Sequence, residues 1–208
     1  MLEIKNLAKS AASARNGAGS FSVSVNAGEV LALCGGPGCG KTQVLRQVAG
    51  MEPVASGYVS IDGELVTAFS ADIFRRQTAF LPQEFRMGLT AEALFGRLSS
   101  MRSAPDGLSR KLLMEHWKAL DVPAETFSRP AEEVPDEVEQ RLMLAFCGML
   151  GRHLLILDEP VSAQDEAGCA LVSSYIASLA ARGAIVVVGC TNAAWLGKCD
   201  KVVNLNML

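Results

Sequence analysis

Gly35-Gly36-Pro37-Gly38-Cys39-Gly40-Lys41-Thr42 fits the pattern G-x-x-x-x-G-K-[ST] at every fixed position. Its flanks are those the pattern needs. Upstream, Glu29-Val30-Leu31-Ala32-Leu33-Cys34 is an apolar run that reads as a buried strand. Downstream, Gln43 to Ala49 puts Val44, Leu45 and Val48 on one helical face, and Gly50 is a stop signal. Strand, glycine loop and helix together predict a phosphate-binding loop. The glycines let successive N–H groups turn inward at a helix N-terminus, so the loop residues Gly35, Gly36, Pro37, Gly38, Cys39, Gly40, Lys41, Thr42 and Gln43 are candidate nucleotide contacts, Pro37 through its position in the loop rather than an N–H. Lys41 is expected to reach the β- and γ-phosphates, and Thr42 to offer its hydroxyl to Mg²⁺.

A second acidic feature completes the pattern. Leu154-Leu155-Ile156-Leu157 is fully apolar, as a parallel strand buried on both faces must be, and it ends in Asp158-Glu159-Pro160. Ligands of open α/β sheets bind at the carboxyl ends of the strands. There Asp158 can hold the Mg²⁺ shell and Glu159 can polarise a water toward the γ-phosphate.

The rest of the chain reads around these two strands. Residues 2–7 and 21–25 alternate apolar and polar, and 57–63 alternates again before an Asp-Gly turn, which predicts a small antiparallel sheet. Thr78 to Gln83 is a short strand stopped by Pro82, with 72–76 leading into it. Thr90 caps a helix to about Ser100, Ser109 starts a second, and a third spans about Asp136 to Leu150. Glu166 to Ala181 is helical; 184–188 and 201–205 are strands. The expected organisation is one domain over 1–208: a core from 1–84 and 151–208, and a helical subdomain over 85–150.

Composition narrows the function classes. The 208 residues, half of them hydrophobic, suffice for one sizeable core. A net charge of −3 gives no global reason to expect nucleic acid. The N-terminus shows no secretory pattern, and the longest apolar stretch, Leu142–Leu150, is far short of the ~20 residues a membrane span needs. Six cysteines without a C-x-x-C pair suit a reduced cytoplasmic compartment. Cys39 sits beside Lys41 at a helix N-terminus, a setting that lowers a thiol pKa, although a merely small residue serves that position equally.

The order of phosphate loop, Phe80-Leu81-Pro82-Gln83, helical segment, Leu-Leu-Ile-Leu-Asp-Glu-Pro and Ser162-Ala163-Gln164-Asp165 resembles the ATP-binding cassette (ABC) ATPases over essentially the whole chain. The resemblance implies an α/β three-layer P-loop core with an antiparallel side sheet and an inserted helical subdomain. It implies ATP and Mg²⁺ as ligands, with Glu159, Lys41 and Gln83 catalytic, and Thr42, Gln83 and Asp158 around the metal. Residues 162–165 correspond to the loop that touches an opposite subunit. In this family the working site forms between two cassettes, the glycine-rich signature of one closing over the ATP of the other.

Three positions depart from that pattern. Where the signature Leu-Ser-Gly-Gly-Gln belongs, the chain has Val134-Pro135-Asp136-Glu137-Val138. Each carboxylate at ~5 Å from a phosphate, with an effective dielectric of ~20, is repelled by about 3 kcal/mol, roughly a hundredfold in affinity. Asp136-x-x-Glu139 also reads as a capping box, with Asp136 as the cap. At the switch histidine the chain places Asn192, which can hydrogen-bond a γ-phosphate but cannot shuttle a proton. The loop from Ala8 to Ser20 has no aromatic residue on which adenine can stack. His116 and His153 are expected to be structural.

The resulting expectation is the ATP-binding subunit of an ABC transporter, slow in hydrolysis by itself. It would be peripheral to the membrane through a permease docked near Glu84 to Leu94. A second cassette is the expected partner, a heterodimer favoured over a homodimer. The alternative is a regulatory ATP-binding module that gates assembly with little turnover. A DNA-repair or translation cassette lacks support, since there is no basic patch or second cassette.

Overall fold

The uninterrupted apolar runs around residues 154 and 185 form the middle of a five-stranded parallel sheet in a computed structural model that describes residues 1–9 and 19–208. Its strands are β3 (Val30–Cys34), β6 (Thr78–Leu81), β7 (Leu154–Asp158), β8 (Ile185–Cys190) and β9 (Lys201–Asn204). They lie in the order β6-β7-β8-β3-β9, all parallel. A separate antiparallel sheet runs β2 (Ser20–Val25), β1 (Leu2–Ala8), β4 (Tyr58–Ile61) and β5 (Glu64–Leu65). The expected side sheet is therefore present, with one strand more than the alternation indicated. Asp62 and Gly63 both have positive φ, 52° and 85°, as a two-residue hairpin requires.

Strict alternation along the central strands divides the core into two layers. Leu31 and Leu33 of β3, Leu154 and Ile156 of β7, and Ile185 and Val187 of β8 pack with the antiparallel sheet. The same cluster includes Val44, Leu45 and Val48 of α1 (Lys41–Val48). On the opposite face, Leu155, Leu157, Val186 and Val188 meet α5 (Asp136–Met149) and α6 (Glu166–Ala181). Between the sheets' ends, α2 (Ala71–Gln77) forms where only a lead-in was read; Asp72 in its first turn and Arg75 and Arg76 in its last suit the helix dipole.

Residues 91–149 carry α3 (Ala91–Ser100), α4 (Arg110–Ala119) and α5, with Thr90 and Ser109 capping the first two as expected. Leu113, Trp117, Leu120 and Phe127 are buried here and join the same core as α6. His116 Nδ1 lies 2.5 Å from the Tyr175 hydroxyl and ties α4 to α6; burial pushes the imidazole pKa down and the phenol up. The capping box at α5 is not formed. Pro135 takes the cap position with no side-chain bond, because Asp136 turns outward to Arg86 at 2.5 Å and buried Glu139 accepts the Met87 N–H. After β8, a short helix α7 (Ala193–Leu196) leads to β9. Among the described residues no helix is long and apolar enough to cross a membrane.

Candidate nucleotide site

The glycine loop connects β3 to α1, and two of its glycines are required by geometry. Gly40, the residue before α1, has φ 101°. Gly35 has φ 151°, and a Cβ there would lie 2.6 Å from Cys39 Sγ. Any larger residue at either place would displace the loop. Lys41 is buried and donates to the carbonyls of Gly35 at 2.9 Å and Gly36 at 3.3 Å. Its ammonium also stands 3.4 Å from Glu159 Oε1. Cys39 is half-buried with its sulfur over Gly35, and all six cysteines are free.

β7 delivers the two carboxylates. Asp158 is 1% exposed; Thr42 Oγ1 donates to its Oδ2 at 2.6 Å. Burial raises the Asp158 pKa, an effect the Thr42 hydrogen bond partly opposes. Its other oxygen, Oδ1, is buried and makes no hydrogen bond among the described residues. A buried carboxylate oxygen without a donor, beside a hydroxyl, is the donor set a hard divalent cation requires. The residues present therefore fit Mg²⁺.

Glu159 is held in the left-handed region at φ 49°, a strain of order 1–3 kcal/mol for a residue with a Cβ. Its N–H donates to Gly189 O at 2.9 Å, and its carbonyl accepts from Gln140 Nε2 at 3.2 Å. The carboxylate receives the Thr191 N–H at 3.1 Å and the Thr191 hydroxyl at 2.5 Å. The strained backbone and the two Thr191 donors thus hold this carboxylate beside Lys41.

Lys41, Thr42, Gln43, Gln83, Glu159 and Thr191 line one cleft of about 630 Å³, together with Pro37, Gly38, Gly40, Arg46 and Glu52. Its size suits a nucleotide. Gln83 also borders a neighbouring cavity of about 540 Å³ lined by Arg86, Asp136, Glu139, Gln140 and Ser162. Asp158 lies beneath the cleft through Thr42, while Asn192 is not among the lining residues; Thr191, one position earlier, is. The signal for Thr191 was its hydroxyl directly after the apolar strand. Gln140 was also missed: it donates to Ser162 Oγ at 2.9 Å and accepts from the Ala163 N–H and Gln164 Nε2. The loop 162–165 is thereby bound to the start of α5, and Asp165 caps α6 by accepting the Gly168 N–H. Of the loop over residues 8–20, expected to offer adenine no stacking partner, residues 10–18 lie outside the described residues.

Known proteins resemble this chain in sequence and in fold. The sequence pattern of the family described as "ABC transporter" matches residues 19–162. A spermidine/putrescine import ATP-binding protein of Pasteurella multocida is 31% identical over 147 residues, covering 70% of this chain and 39% of that protein. A ribose import ATP-binding protein of Rhizobium meliloti is 28% identical over 195 residues, covering 88% of this chain and 39% of that protein. The chain thus spans about two fifths of the length of these curated relatives. The dimeric cassette MJ0796 superposes with a TM-score of 0.82 at 19% identity, over 98% of this chain and 94% of that one. A bacterial Atm1-family ABC exporter gives 0.78 at 17% identity, over 98% of this chain and 36% of that one. The likeness of the structures carries the P-loop ABC-type fold, and the sequence match carries membership: this chain belongs to the ABC transporter family.

Proposed function

We propose that this chain is the ATP-binding subunit of an ABC transporter complex, and that it couples ATP binding, with slow hydrolysis, to a membrane permease. The convergence of Lys41, Thr42, Gln83, Asp158 and Glu159 on one cleft carries the reading. In it, Lys41 and the loop N–H groups bind the phosphates, while Glu159 orients a water and accepts its proton. Thr42, Gln83 and Asp158 would hold Mg²⁺, which would supply neutralisation of phosphate charge.

Hydrolysis is assigned a low rate because the start of α5 bears Asp136 and Glu137 in place of N–H-presenting glycines. Arg86 pairs with Asp136 and keeps it ionised, so its charge is offset but not removed. A second cassette with an intact signature is therefore the favoured partner, and this chain's own ATP lies under that signature. The segment near Glu84 to Leu94 is the proposed permease contact, which places the subunit at the cytoplasmic face of the membrane. A regulatory module with little turnover is the second reading, favoured by the two Thr191 donors that restrain Glu159.

The test is MgATP binding and turnover by the purified chain, alone and with a candidate partner cassette. Micromolar-range binding with slow turnover, accelerated by the partner, is expected. Full-rate turnover by the chain alone refutes the half-site reading, and absence of binding refutes the nucleotide assignment.

A further inference from the structure

The phosphate loop is contacted from outside by two residues, Asn206 and Lys9, that do not line the cleft. Asn206, in the turn Leu205–Met207 that follows β9, presents Oδ1 to the Gly36 N–H at 3.4 Å. A Cβ built on Gly35 would meet that same oxygen at 3.1 Å, and one on Gly36 would lie 3.8 Å from Asn206 Nδ2. The amide therefore lies over the Gly35–Gly36 peptide. Asn206 is itself oriented: its N–H donates to Asn204 Oδ1 at 3.0 Å, and neighbouring Leu205 is fully buried.

At the other end of the loop stands Lys9. A Cβ on Gly40 would lie 3.2 Å from the Lys9 carbonyl. The Lys9 ammonium crosses to the segment after β9 and donates to the carbonyls of Leu205 at 3.0 Å and Leu208 at 2.8 Å. Polar contacts thus run from Lys9 through residues 205–208 to Asn206 and Gly36, while the Lys9 carbonyl packs close against Gly40.

We infer that Asn206, tied down by Lys9, is a positioning residue of the phosphate loop. It holds the Gly35–Gly36 end in the curvature that turns the later N–H groups of the loop toward phosphate. The inference rests on the reading of the cleft as a nucleotide site, and it adds a specific restraint by Asn206, 170 positions from Gly36 in sequence. Preorganisation of this kind acts on affinity, since an unrestrained loop must be ordered at the moment of binding.

The experiment combines amide hydrogen exchange at Gly36, read by NMR, with MgADP affinity from a fluorescent ADP analogue. Asn206→Ala is expected to speed Gly36 exchange roughly tenfold and to weaken MgADP roughly three- to tenfold, the effect of one modest hydrogen bond. Asn206→Asp keeps the acceptor, so Gly36 stays protected. Lys9→Met is expected to reproduce Asn206→Ala in direction, and Met207→Ala, on the exposed neighbour in the same turn, to change neither quantity. Unchanged exchange in Asn206→Ala overturns the proposal. So does faster exchange with unchanged MgADP affinity, which reduces the contact to packing. If the native chain binds no nucleotide, the function reading fails, while the exchange measurement still decides the grip on Gly36.

Discussion

Gly189→Ala tests whether the Asp158 oxygen is kept free for a metal. Gly189 sits on β8, directly opposite Asp158 in the parallel register. Its missing side chain makes the room: an added Cβ would lie 2.9 Å from Leu45 Cδ1 and 3.0 Å from Asp158 Oδ1, against an ordinary contact limit near 3.4 Å. The Leu45 methyl can rotate away, but Asp158 is anchored by Thr42 and must tilt by about the difference. Overpacking of this size costs about 1–3 kcal/mol. For a chain of this length each kcal/mol lowers Tm by about 2–4 °C, so a 2 kcal/mol loss appears as about 4–8 °C. Because the displaced oxygen is the proposed ligand, Mg²⁺-dependent nucleotide affinity is expected to fall about 10- to 100-fold as well. Gly148→Ala is the matched control. Its Cβ would lie 2.0 Å from the Tyr175 hydroxyl, so it destabilises at least as much, far from the cleft. Thermal unfolding and nucleotide titration with and without Mg²⁺ separate the two. Wild-type Mg²⁺ dependence in Gly189→Ala refutes the assignment of Asp158.

Other expectations follow from the same contacts. Glu159→Gln should lower turnover about 10²- to 10⁴-fold and leave MgATP binding in place, measured by phosphate release and equilibrium titration; undiminished turnover removes Glu159 as the base. Glu139→Ala leaves the buried Met87 N–H without its acceptor and should cost about 1–3 kcal/mol in urea unfolding, most of it recovered by Glu139→Gln. His116 is held below its ordinary value of 6.5 by burial, so the unfolded chain takes up the proton first as pH falls. Its contribution is present above pH 6.5 and is lost as pH drops through the lowered folded value, and His116→Gln should flatten urea midpoints between pH 7.5 and 5.5.

What could be read in advance was local. The loop from Gly35 to Thr42 carries its strand and helix in the adjacent residues, and the apolar run before Asp158 fixes where the acid emerges. Features set by distant neighbours were not legible. Asp136 looked like a cap because nothing nearby competes for it; Arg86, 50 residues earlier, does. Asn192 and Thr191 could not be told apart until β8 was in register with β7, which brought the Thr191 hydroxyl to Glu159. Helix α2 was missed because seven residues with three charges give a weak apolar stripe, and only Ala71 and Phe74 are buried.

The strand order has a consequence for how the protein is made. Along one edge of the parallel sheet, β6 is followed by Gln83, β7 ends in Asp158, β8 is followed by Thr191, β3 opens into the loop, and β9 leads to Asn206. Each strand end contributes one part, yet the parts are scattered from residue 35 to residue 206. A nascent chain therefore has its phosphate loop long before it has the acids or the outer strap, and joining them requires closure of very long loops of chain. Affinity for nucleotide is the last property to mature. A nucleotide in the proposed site would touch the ends of β6, β7, β8 and β3 at once and would stabilise them together by mass action. On the proposed reading, ATP would be a late-arriving piece of this protein's tertiary structure.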